Sequence, residues 1–173
     1  MAAPEYLTLR RHRDLVGRRD QVWVRRGIIA VLALVPLLAL TNVFGQRPET
    51  TKQTAAAASI SLYAPSAVRG GDLFEARFHI TAHRELKNAI LILGPGWLEG
   101  MSLNTVAPSP STQTSTNGNL TLVLGDVPAG HAYLLFLQFQ VLPTNVGHRA
   151  QTVDLNDGST HLLSIHHEIT VFP

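Results

Sequence analysis

Seven histidines lie beyond residue 45: His79, His83, His131, His148, His161, His166 and His167. Imidazole is the commonest metal-ligand side chain and a general base near neutral pH, so chemistry is sought here first. A zinc site needs three or four ligands converging at about 2 Å. His166 and His167 are adjacent, so on a strand they point to opposite faces and do not chelate together. His79 and His83 flank a strand end, and no further Glu or His falls at a spacing that completes a set. No metal site is expected, and the histidines read as scattered surface residues.

Nucleophilic chemistry has no better footing. Serine and threonine are abundant in loops, yet neither a Gly-x-Ser-x-Gly elbow nor a Ser-x-x-Lys pair occurs. With no cysteine in the chain there is no thiol nucleophile, thiolate ligand or disulfide. Asp154 and Asp157 bracket a turn, which accounts for both carboxylates. Gly70-Gly71 and Gly94-x-Gly96 are turn glycines, because no helix follows to cradle a phosphate. No catalytic residue and no cofactor are expected, and a hydrolase with an unrecognised loop site is only a third reading.

The elements around these residues are mostly strands. Leu73 to Thr81 puts Phe74, Ala76, Phe78 and Ile80 on one face and Glu75, Arg77, His79 and Thr81 on the other. Similar runs occupy 59–63, 89–93, 101–107, 119–124, 131–141, 151–156 and 160–172, with Asn156-Asp157-Gly158 as a strong hairpin signal. Residues 108–118 read as a Pro/Ser/Thr-rich loop. Seven or eight antiparallel strands with turns every 8–12 residues predict an all-β, immunoglobulin-like sandwich over 59–173, with a small barrel as the alternative.

Ahead of this domain the chain is of another kind. Gly27 to Phe44 carries no charge, and 18 helical residues span roughly 27 Å, close to one hydrocarbon core. Trp23, Arg25 and Arg26 precede it as interfacial aromatic and snorkelling cations, and Ile28, Leu34 and Leu40 belong to its apolar run. The residues after it lack a small-x-small cleavage pattern, so a retained anchor over 27–45 is expected and a cleaved signal peptide is the alternative. Seven arginines against three acids give the tail 1–26 a net charge of +4. Seven Lys/Arg against nine acids leave residues from 45 onward at −2. Positive charge stays inside. The expectation is therefore a single-pass plasma-membrane protein, N-terminus cytoplasmic, whose basic tail meets lipid rather than nucleic acid. Residues 46–58 have no apolar period and read as a flexible linker.

Two apolar features exceed what a core needs. In the strand 131–141, Tyr133, Leu135, Leu137, Phe139 and Val141 form the inward face, which leaves Leu134 and Phe136 outward. The run 89–93 is apolar on both faces. In an immunoglobulin-like order these two strands are neighbours, so Leu134 and Phe136 are expected to share a partner-binding patch with one face of that run, Ile90 and Ile92 or else Leu91 and Leu93, unless the 108–118 loop covers it. Trp97, between glycines, either caps the sandwich or anchors a partner.

The segment Val127-Pro128-Ala129-Gly130 with its long apolar strand and terminal Asp-Gly hairpin looks like bacterial cell-surface immunoglobulin-like modules. The basic tail, the exit Asn42-Val43-Phe44-Gly45-Gln46-Arg47-Pro48 and the loop Gly96-Trp97-Leu98-Glu99-Gly100 resemble uncharacterised actinobacterial single-pass membrane proteins. That resemblance implies architecture and no activity. The functional expectation is an extracytoplasmic binding module, an accessory subunit to an integral membrane or envelope protein, with a ligand-binding or sensing module as the alternative.

Overall fold

Period-two runs of β-branched, aromatic and aliphatic residues become strands wherever alternate side chains find a common core. The computed structural model describes residues 19–41 and 45–173, and the chain divides into an N-terminal helical unit and a β unit.

The helix α1 runs Arg19–Leu40 with Pro36 inside it. It begins earlier than the 27–45 span expected, so Trp23, Arg25 and Arg26 are helical, and the Arg26 guanidinium lies 5.4 Å from the Trp23 ring centre. Gln21–Leu40 is long and apolar enough to cross a membrane, and none of its most apolar stretch is buried by protein. Trp23, Ile28, Leu34 and Leu40 are all exposed. Most of the basic tail (1–18) and the exit residues 42–44 lie outside the described residues.

The β unit holds eleven strands: β1 Pro48–Thr54, β2 Ala58–Pro65, β3 Ala67–Arg69, β4 Leu73–Ala82, β5 Leu86–Leu93, β6 Met101–Ala107, β7 Thr112–Thr116, β8 Asn119–Val127, β9 Ala132–Val141, β10 Gly147–Asp157 and β11 Thr160–Phe172. One sheet has the order β1-β2-β4-β9-β6, the other β3-β11-β10-β5-β8-β7. All pairings are antiparallel except the short β3–β11 pair. The immunoglobulin-like expectation stands as a two-sheet β-sandwich, and the barrel alternative gives way to it.

The sandwich has more strands than the seven or eight expected, because three segments carry no core pattern. Residues 46–58 are not a free linker: β1 pairs with β2 from Pro48↔Pro65 to Thr54↔Ser59. Its side chains are exposed on both faces apart from Thr51, so no apolar period betrays it. The loop at 108–118 contains β7, which pairs with β8 through Asn117 and Gly118, both at positive φ (52° and 78°). That is the backbone of a two-residue hairpin, and the Asn-Gly pair was its signal.

The core fills with Phe74, Phe78, Leu135, Leu137, Phe139 and Val141 from one sheet against Leu91, Leu93, Leu122, Leu155 and Ile169 from the other. The alternation expected for β4 and β9 is the alternation observed. Because β1 buries almost nothing, its ladder bonds, worth about 0.5–1.5 kcal/mol each, roughly offset the cost of ordering its residues, about 1–2 kcal/mol each. A sandwich beginning at Ala55 is therefore expected to melt within about 5 °C of the longer domain, yet to aggregate faster because the β2 edge is bared. Calorimetry and light scattering on both fragments check this.

Candidate interaction surface

The outward side chains of the five-stranded sheet stand in cross-strand rows. Register sets Tyr63 opposite Arg77, Arg77 opposite Phe136 and Phe136 opposite Ala107; in the next row Ser61, His79 and Leu134 follow one another. The Arg77 guanidinium is 5.4 Å from the Tyr63 ring centre and 6.0 Å from that of Phe136, within the range of cation–π attraction to both. Glu75, two residues along the same strand face, accepts a hydrogen bond from Arg77 Nε and forms an ion pair with it. That hydrogen bond, and then the carboxylate's charge, raise the Arg77 pKa above its ordinary value, so the cation is fixed. Beside this row Leu134 is 50% and Phe136 36% exposed, with Tyr63 at 40%. The result is a flat surface of two rings, a leucine and a permanently charged guanidinium. It offers apolar burial beside a fixed positive charge.

The patch differs from the one the sequence suggests. Ile90 and Ile92 lie on β5 in the opposite sheet, half-buried, with Asn156 and Asp154 of β10 on one side and Val123 and Thr121 of β8 on the other. They share no face with Leu134 and Phe136. The reason is the loop after β5, which carries the chain across so that β6, not β5, pairs with β9. Nor does 108–118 cover Leu134 and Phe136, since its strand β7 edges the other sheet.

Trp97 is not an exposed anchor. It is fully buried, its ring centre 5.4 Å from Phe139, 5.8 Å from Phe78 and 6.5 Å from His167, and its indole N–H donates to the Thr152 carbonyl at 3.0 Å. The flanking glycines admit it: a Cβ on Gly96 would collide with the Ala150 carbonyl oxygen, and one on Gly94 with the Thr152 hydroxyl. The glycines therefore let the turn Pro95–Trp97 lie directly on β10.

Six of the seven histidines are exposed, as expected, and His166 and His167 do point apart. His167 departs from the expectation: it is 4% exposed, with Nε2 3.1 Å from the Pro65 carbonyl oxygen. Among the described residues no three His, Asp or Glu side chains gather as a metal-holding group. An open cleft of about 590 Å³ lies between β1, β3 and β11, lined by Arg47, Glu49, Ser66, His166, Glu168 and Phe172 among others.

Tyr133, at the β4–β9 end of the inward row, is half-buried, and burial raises its phenol pKa. A raised folded-state pKa gives stability that is complete below the unfolded value near 10 and is lost as pH rises through the folded value. Tyr133→Phe is therefore expected to flatten the fall in melting temperature between about pH 9.5 and 11 while changing nothing at pH 7. Thermal melts across that range check it.

No protein-family model matches the chain, and no curated protein matches it significantly. Solved structures with a similar chain course exist. The solution structure of CaCohA2 from Clostridium acetobutylicum aligns with TM-score 0.46 and 16% identity over 68% of this chain and 92% of that one. The sporulation control protein Spo0M from Bacillus subtilis gives 0.41 and 14% over 68% of this chain and 50% of its own. The CARDB domain of the PF1109 protein from Pyrococcus furiosus, solved with di-metal ions, gives 0.38 and 14% over 73% and 96%.

Proposed function

We propose that the chain is a single-pass plasma-membrane protein, N-terminus cytoplasmic, whose extracytoplasmic sandwich works by binding. Its partner on this reading is an integral membrane or envelope protein to which it serves as an accessory subunit. The observation that carries the proposal is the exposed Tyr63–Arg77–Phe136 row with Leu134 beside it. Aromatic and arginine side chains dominate binding energy at protein interfaces, and an apolar group left in water on one sheet face favours a contact there. The anchor part rests on the apolar, unburied α1 and the arginines before it. Crosslinking in intact membranes followed by pull-down should return a stable partner, and Leu134→Ser with Phe136→Ser should lose it. Equal recovery from the wild type and the double variant refutes the surface.

A ligand-binding or sensing module is the second reading, favoured by the cleft between β1, β3 and β11 with its mixed charges. Thermal shifts of the sandwich with envelope sugars, lipids or metal ions separate the two. A shift abolished by His166→Ala and Glu168→Ala favours the cleft over the sheet face.

A further inference from the structure

The exposed large apolar side chains of the described sandwich fall into two groups. Tyr63, Leu134 and Phe136 stand in the row around Arg77; Leu73 (49% exposed) and Leu142 (46%) lie farther along the same face at its end, and Val146 (49%) in the turn beyond. Backbone bonds gather these three at one end of the sandwich. Gly71 N–H donates to the Val141 carbonyl at 3.0 Å and Val141 N–H to that of Asp72 at 2.9 Å, which sets Leu73 diagonal to Leu142. Asn145 N–H then closes a turn on the Leu142 carbonyl at 2.9 Å and brings Val146 round.

One polar side chain of this turn points inward. Its amide, Asn145, is 7% exposed and is held inside by bonds from Nδ2 to the Gly100 carbonyl (3.1 Å) and from Arg149 Nη2 to its Oδ1 (2.7 Å). Its aliphatic neighbours Leu142 and Val146 face out. With Asn145 inside, Thr144 is the one polar side chain that the turn offers to water beside Leu142, Pro143 and Val146, which favours an apolar contact here.

The chain enters the sandwich at this same end. The Gln46 amide donates to the Leu73 carbonyl at 2.7 Å, and the Arg47 backbone bonds to Ser66 and Ala67. Arg47 and Arg69 are exposed here. Five residues, 41–45, lie between Gln46 and Leu40, the last residue of α1, and the six peptide steps reach at most about 21 Å.

Resting on the membrane-anchor reading above, we infer that this end is a lipid-contact surface. Leu73, Leu142 and Val146 enter the headgroup–acyl boundary of the bilayer, and Arg47 and Arg69 lie at the level of its phosphates. The occupant is the lipid surface itself, since no more than six peptide steps of chain separate this end from the last apolar residue of α1.

The chain has no cysteine, so single nitroxide labels are unambiguous. Full-length Leu73→Cys, Leu142→Cys and Val146→Cys would be labelled in phosphatidylcholine/phosphatidylglycerol vesicles, with Ala129→Cys in the β8–β9 loop as the water reference and Ala33→Cys as the helix reference. Insertion of about 5–10 Å should raise the ratio of collisions with oxygen to collisions with a water-soluble nickel complex about tenfold over Ala129→Cys at all three sites. Ratios equal to Ala129→Cys, with Ala33→Cys reading lipid, overturn the contact and leave the anchor standing. A wet Ala33→Cys overturns the anchor and the contact together. Ratios that collapse on dilution with lipid mean that a second copy covers the end, which also overturns the inference.

Discussion

Trp97→Ala is expected to remove about 3–5 kcal/mol from the sandwich, the usual cost of emptying a buried tryptophan site. A domain this size holds about 5–15 kcal/mol in total, so the melting temperature should fall by roughly 15 °C. The loss has two parts. The indole packs against Phe78, Phe139 and His167, so removing it opens a void where the two sheets meet. The Thr152 carbonyl also loses one of its two donors and keeps the Gly94 N–H. Trp97→Phe separates them, since it keeps a ring but not the N–H, and should cost about 1–2 kcal/mol. Gly96→Ala tests the same contact from the other side: its added Cβ meets the Ala150 carbonyl, and backbone cannot move aside as a flexible side chain does. Urea midpoints with near-ultraviolet circular dichroism check all three. A Trp97→Ala domain that melts within about 3 °C of wild type would place the indole outside the core.

The second large effect concerns binding and leaves stability alone. Leu134→Ser with Phe136→Ser should weaken capture of the proposed membrane partner about 30-fold or more, the scale of hot-spot truncation near 2 kcal/mol. Both side chains point away from the core, so the melting temperature should move by no more than about 2 °C. Arg77→Ala is the companion variant. It leaves the two rings in place and removes the cation between them, so the partner's loss of affinity should be smaller and more salt-dependent. Ile90→Ser with Ile92→Ser is the control, because that pair lies on the opposite sheet. Quantitative crosslinking at graded expression levels checks these outcomes. Equal losses from both double variants would mean general destabilisation rather than a lost contact.

What the sequence revealed tracks how much apolar surface each element buries. β4, β9 and β11 alternate cleanly because one face of each is core, and their positions were legible nearly to the residue. β1, β3 and β7 were not. β1 and β7 bury almost nothing, while β3 is three residues long and pairs with β11 across the fold. The outward exposure of Leu134 and Phe136 was legible from alternation alone. Their neighbours were not, because period two fixes a face but not the strand beside it. The crossing after β5 put β6 in place of β5 beside β9, and β4 on the other side brought Arg77 with Tyr63 beyond it. Trp97 was misplaced for a different reason: glycines at 94 and 96 look like loop punctuation, whereas here they permit close approach to β10. The inward amide of Asn145 left no trace in the local pattern.

The edge strand β1 also decides how this protein responds to tension. Its hydrogen bonds to β2 begin at Pro48, where the chain comes in, so a pull on the N-terminal segment loads them one after another instead of all together. Peeling Pro48–Thr54 disturbs little of the interior and releases up to roughly 24 Å of slack. The rest of the sandwich, with both sheets and Trp97 intact, is expected to stay folded while β1 peels and pairs again, which force spectroscopy on the sandwich checks.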